Sequence, residues 1–302
     1  MTGRGSDWRL ALIPAVLAVC WGLNWPIVKI ILSTLPPFTL RWFGLGAGGL
    51  LLLLYALARG RSLVPALWPQ QGPRLLVAGL LNVAAFNLCT TFAQLSTSTA
   101  RASVLTYTMP MISALMAWLL LGERPDRRRA AALLLGSAGI ALLAWPVVQR
   151  MQAGDLDRRV LMGLAMPLLA ATAWAAGTVF TKRWPIAGDR FVNTGWQLLI
   201  GAASGAIGAA IAGERWPAEM PWTVAAALAY HVVVATAFAY VVWFVLLDRF
   251  SATVSSLTTL MVPVVGVVGA MALVGDRPAL LDWAGFALVL GGAGLVVVRL
   301  GR

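Results

Sequence analysis

Trp21-Gly22-Leu23-Asn24-Trp25-Pro26-Ile27-Val28-Lys29 places two tryptophans, an asparagine and a lysine in an apolar run long enough to cross a bilayer. An ionisable group at that depth costs roughly 2.5–3.5 kcal/mol on insertion scales, so it is read as a site by default. The pattern returns 153 positions later as Trp174-Ala175-Ala176-Gly177-Thr178-Val179-Phe180-Thr181-Lys182. Lys29 and Lys182 are the only lysines among 23 basic residues.

The same offset extends outward from this stretch. It pairs Pro14 with Pro167, Ser103 with Ser256, Thr106 with Thr259 and Pro110 with Pro263. It also pairs Gly122-Glu123-Arg124-Pro125 with Gly275-Asp276-Arg277-Pro278. Chance apolar similarity does not hold proline, tryptophan, lysine and glycine in one register.

Hydrophobic residues make up 60% of the 302 residues and charged residues 11%, and mean hydropathy is +0.83. Soluble domains carry about a quarter charged residues. Apolar runs of about 20 residues, enough for roughly 30 Å of hydrocarbon, recur throughout. The alternating pattern of a membrane barrel is absent.

Ten spans are predicted, near 10–32, 36–58, 75–95, 100–121, 129–148, 160–181, 192–213, 222–247, 252–274 and 281–299. The fold class is therefore an all-α membrane protein, with ten transmembrane helices as two inverted five-helix repeats. The first repeat covers 1–148, a linker 149–159, and the second repeat 160–302. Five is odd, so the copies run through the membrane in opposite senses. Such inverted repeats are a mark of transporters, with the substrate site near midplane between them.

The net charge of +12 raises the question of nucleic acid. The basic residues fall between spans, with no basic face interleaved with aromatics, so no nucleic-acid partner is expected. Counted by side, 15 of the 23 lie on the face shared by both termini, which makes that face cytoplasmic. Cys20 and Cys89 lie inside apolar spans and read as packing residues, and no metal or cofactor is expected.

The tryptophan-glycine-x-asparagine start of the motif, its terminal lysine, and the Gly-Glu-Arg-Pro and Gly-Asp-Arg-Pro ends of spans four and nine resemble the drug/metabolite transporter superfamily. The ten-helix, EamA-type branch fits the whole chain, and within it bacterial exporters of aromatic and other neutral amino acids. That resemblance implies a multi-pass protein of the bacterial inner membrane, both termini cytoplasmic, a monomer or homodimer working by alternating access. It also implies a central cavity lined mainly by helices 1, 3, 4, 6, 8 and 9. Within the same mechanism, drugs or sugar-phosphate metabolites are the alternative cargo. The second copy departs from the motif, with Ala175 for Gly22 and Gly177 for Asn24.

All acidic residues fall at span ends or in loops, which argues against a cation/proton antiporter and for neutral, zwitterionic or anionic solutes. With one histidine and no intramembrane acid, the pairings an enzyme needs are missing. A scaffold has no use for paired lysines and prolines in inverted halves.

The substrate-binding candidates are the polar and aromatic residues within spans. Trp21, Trp25, Phe86, Tyr107, Trp174 and Tyr240 offer apolar faces; Asn24, Asn82 and Thr178 offer polar anchors. Trp8 and Trp68 read instead as interfacial belt residues. Asn24 and Asn82 fall nearer midplane than Asn87, and inter-helix glue is the competing reading for each amide. His231, the single histidine, is either a satisfied neutral imidazole or a titrating group. Lys29 and Arg41 either snorkel or hold a substrate carboxylate.

Pro110 and Pro263 are hinge candidates, because each removes a hydrogen bond to the carbonyl four residues back. A static kink is the competing reading. Gly44-x-x-x-Gly48 and Gly201-x-x-x-Gly205 permit close helix approach, within the chain or across a dimer.

Overall fold

The computed structural model describes residues 12–65, 70–123, 126–153, 157–249 and 252–297, and all regular structure in them is helical. Trp8, Trp68, Arg124, Pro125 and the centre of the 149–159 linker lie outside the described residues. The helices are α1 (Ile13–Ile31), α2 (Pro37–Ala58), α3 (Gly72–Ser96), α4 (Thr99–Leu121), α5 (Arg127–Gln152), α6 (Arg158–Arg183) and α7 (Arg190–Ala212). They continue as α8 in three consecutive pieces (Trp222–Ala229, Tyr230–Phe238, Ala239–Arg249), α9 (Ala252–Leu273) and α10 (Leu280–Val297).

Among the described residues, eight helices, α1 to α8, are long and apolar enough to cross a membrane. In α9 and α10 the apolar stretches found are shorter, Thr259–Leu273 and Leu280–Leu295. The chain is thus an all-helical membrane protein.

The boundaries follow from local chemistry. Asp126, Asp157 and Asp189 cap α5, α6 and α7, each carboxylate accepting a backbone N–H of the first turn. Pro36-Pro37 opens α2, where a missing N–H costs nothing. α4 and α7 end on Gly122 and Gly213, whose φ of 71° and 64° is left-handed backbone that glycine adopts without strain.

The two proline sites differ. α4 breaks at Tyr107–Thr108, and Pro110 sits in the first turn of its second segment. Thr106 and Thr108 donate their hydroxyls back to the Ala102 and Leu105 carbonyls, at 2.8 Å each, which satisfies polar groups around the break. Pro263 lies inside α9, which runs on unbroken.

α2 packs along α7, α5 along α10, α1 against α8 and α9, and α6 against α3 and α4. Exchanging each helix with the one five places on returns the same set of pairs. Gly44 and Gly48 meet His231 and Thr236, while Gly201 and Gly205 meet Val83 and the Trp42 backbone. Both small-residue motifs are therefore spent on seams within one chain.

Candidate functional site

The α1 motif is read out by α8 and α9. Trp21 donates its indole N–H to the Ala235 carbonyl at 3.1 Å and faces Tyr240 and Trp243, with ring centroids 6.0 and 5.6 Å away. Asn24 Oδ1 lies 2.8 Å from His231 Nδ1. Trp25 is buried with Tyr107 and Val262. A β-carbon on Gly22 would come within 2.5 Å of Val265 Cβ and 2.9 Å of the Val262 carbonyl, so α1 and α9 touch backbone to backbone here.

α3 and α8 are both π-wound at mid-length, over Gly79–Ala85 and Tyr230–Phe238. Positions 79–85 map onto 232–238 at the repeat offset of 153. A π turn inserts one residue, rotates the face that follows and loosens the carbonyl ladder. Side chains take up freed carbonyls: Asn87 Nδ2 donates to Val83 O at 2.9 Å, and Thr236 Oγ1 to His231 O at 2.8 Å.

The two crossings are near-equivalent in kind. Asn24 on α1 meets His231 in the wound stretch of α8. Gly177, its counterpart on α6, meets Asn82 in the wound stretch of α3, where a β-carbon would lie 1.6 Å from Asn82 Oδ1. The space an asparagine would need at Gly177 is thus already filled from the neighbouring helix.

Between these elements lies a cavity of about 590 Å³, within the usual range of roughly 300–1,000 Å³ for small-molecule sites. Trp21, Asn24, Trp25, Phe86, Tyr107, Trp174, Thr178, His231 and Tyr240 all line it, as does Pro110. Asn82 and Pro263 do not. Phe86 faces Trp174 at 4.9 Å, which pairs α3 with α6 as Trp21 pairs α1 with α8.

The wall also includes Thr90, Gln94, Thr236 and Trp243, outside the predicted set, together with Asn87 and Arg41, between whose alternatives the sequence does not choose. Phe86, Thr90 and Gln94 are spaced by four, one stripe of a helix. Of the two amides weighed on α3, Asn82 sits at the α6 contact and Asn87, just past the π stretch, lies on the cavity wall. Lys29 is half-buried, bonds to the Gln94 carbonyl and does not line the cavity.

The cavity is blind at one end and open at the other. Val28, Arg41 and Gln94 at the blind end are each 2% exposed or less. Beyond them the molecule is tied shut by Arg101–Asp282 at 2.5 Å, by Asp276 accepting from the Ala100 N–H at 2.8 Å, and by Glu214 accepting from the Thr39 N–H at 2.7 Å. At the other end the wall reaches Arg129 and the exposed Lys182–Glu123 ion pair. The bonded Lys182 ammonium holds the Glu123 carboxyl below its ordinary value. Among the described residues, Glu123 is the only carboxylate on the wall, and it stands at the mouth.

The sequence profile of the EamA-like transporter family matches this chain twice, over residues 9–145 and 161–298. The uncharacterized transporter YvbV of Bacillus subtilis is 28% identical over 93% of this chain and 89% of its own length. An Escherichia coli K12 protein named "Probable amino-acid metabolite efflux pump" is 25% identical over 95% of this chain and 93% of its own. A crystal structure of another protein, 22% identical, superposes with a TM-score of 0.63 over 96% of both chains, a likeness of fold. Twofold coverage by one profile, on a membrane protein with a central cavity, decides the assignment: the chain belongs to the EamA-like transporter family.

Proposed function

We propose that the chain exports amino acids, aromatic and other neutral ones, by alternating access across a bacterial inner membrane. The observation that carries this reading is the cavity itself: aromatic walls, polar groups at a blind end, and an opening at one face only. A pocket of that make-up suits a small solute with one apolar and one polar part. The efflux-pump name of the Escherichia coli relative points the same way.

In this reading residues 1–148 and 160–302 are copies related by inversion, joined by the linker 149–159. The self-mapping of the helix pairs and the twice-matching profile support it. The cavity mouth lies on the face that carries most of the basic residues, the cytoplasmic face under the positive-inside rule. The structure then corresponds to the loading state of an exporter. Trp21 and Trp174, at matched heights in α1 and α6, flank the solute, and Pro110 and Pro263 lie where α4 and α9 bend as the halves rock.

Purified protein in liposomes, given a panel of labelled amino acids with and without a pH gradient, tests this. Saturable movement of phenylalanine, leucine or similar solutes is expected. Movement of lipophilic cations or sugar phosphates, with none of amino acids, contradicts the substrate class.

A further inference from the structure

Arg41 stands one turn into α2 at the blind end of the cavity, 2% exposed. Its Nε donates to Thr91 Oγ1 on α3. Among the described residues no carboxylate lies within ion-pair distance of it, and its two terminal nitrogens donate to nothing. A buried guanidinium without an anion is costly, and its planar fork matches a carboxylate with two parallel hydrogen bonds.

Two further buried polar atoms near it have no partner: His231 Nε2 and Gln94 Oε1. His231 rests on α2 one turn beyond Arg41, where a β-carbon on Gly44 would come within 2.8 Å of Nε2. Gln94 is one turn along α3 from Thr91, the partner of Arg41. With Nδ1 assigned as the donor to Asn24 Oδ1, His231 Nε2 carries a lone pair. The blind end thus offers one unmet cation and two unmet acceptors, on three helices.

Water would satisfy the acceptors and leave the charge unmatched. An inorganic anion would match the charge and leave the acceptors empty. A zwitterion brings a carboxylate and an ammonium on one carbon and answers both. We propose that Arg41 anchors the carboxylate of the transported solute and that Gln94 and His231 accept from its ammonium. The site then selects α-amino acids over amines, amides and simple acids. This rests on, and deepens, the reading of the chain as an amino-acid transporter.

The test compares binding of L-phenylalanine, phenethylamine, phenylalaninamide and 3-phenylpropanoate to wild-type protein in lipid nanodiscs. Loss of the carboxylate should weaken binding about a hundredfold, because removing one partner of a buried charge pair leaves the other charge unmatched. Loss of the ammonium should weaken it about tenfold, two neutral acceptors being worth less than a charge pair. Arg41→Lys should bind phenylalanine more weakly than wild type yet better than Arg41→Gln, with phenethylamine binding unchanged in both. The wild-type comparison stands even where a variant fails to fold. Equal binding of amine and acid, with phenylalanine still transported, overturns this proposal alone. Protein that neither binds nor moves any amino acid overturns it together with the reading beneath it.

Discussion

Gly22→Val is expected to yield almost no folded protein. The added β-carbon would sit 2.5 Å from Val265 Cβ and 2.9 Å from the Val262 backbone carbonyl. Overpacking costs about 1–3 kcal/mol when side chains can give way. Here a backbone carbonyl is in the path, so α1 and α9 must separate along their whole contact. That contact also positions Trp25 against Val262. Val265→Ala should rescue only part of the loss, since the carbonyl remains. Gel filtration of solubilised protein reads the result, and a wild-type yield with an unchanged melting temperature contradicts it.

Trp21→Ala has the largest effect expected on transport. It removes two aromatic contacts, worth about 0.5–1.5 kcal/mol each, and an indole hydrogen bond of about 1 kcal/mol to the Ala235 carbonyl. Initial transport rates in liposomes should fall about tenfold, the equivalent of losing one aromatic contact with the solute of about 1.4 kcal/mol. Trp21→Phe keeps ring contact, loses the bond and should fall between. Trp174→Ala should cost less, because the described contacts of Trp174 with aromatics come down to Phe86. Equal rates for Trp21→Ala and wild type would contradict the placement of this ring at the solute.

Much of this was legible in the chain. The spans are local signals, and the sequence places α2 at 36–58 against Pro37–Ala58 in the structure. α5 runs further than the read 129–148, to Arg127–Gln152, because Asp126 caps a turn that its arginines had hidden. The converging aromatics were found because aromatic and polar residues are rare enough within spans to stand out.

What escaped was rotation about helix axes. α3 carries amides at 82, 87 and 94, and nothing in its sequence announces the π turn between them, which leaves Asn87 and Gln94, rather than Asn82, on the cavity wall. Arg41 was open to either reading, because depth is set by how α2 tilts against α3 and α8, which no local pattern encodes. The break of α4 at Tyr107–Thr108 and the unbroken course of α9 through Pro263 differ for the same reason: neighbours decide whether a proline kinks or merely fits.

One solute site between two halves is reached from one face at a time, and this is open to direct measurement. With Cys20 and Cys89 replaced by alanine, single cysteines at Ala114, toward the mouth, and Val28, at the blind end, can be labelled with an impermeant maleimide from each side of oriented vesicles. Ala114→Cys is expected to be labelled only from the face bearing the Lys182–Glu123 pair. Val28→Cys, on the wall where the two access routes meet, should be labelled from the opposite face as well, and more so as phenylalanine saturates the protein. Labelling of both from the same face only, unaffected by solute, would contradict alternating access.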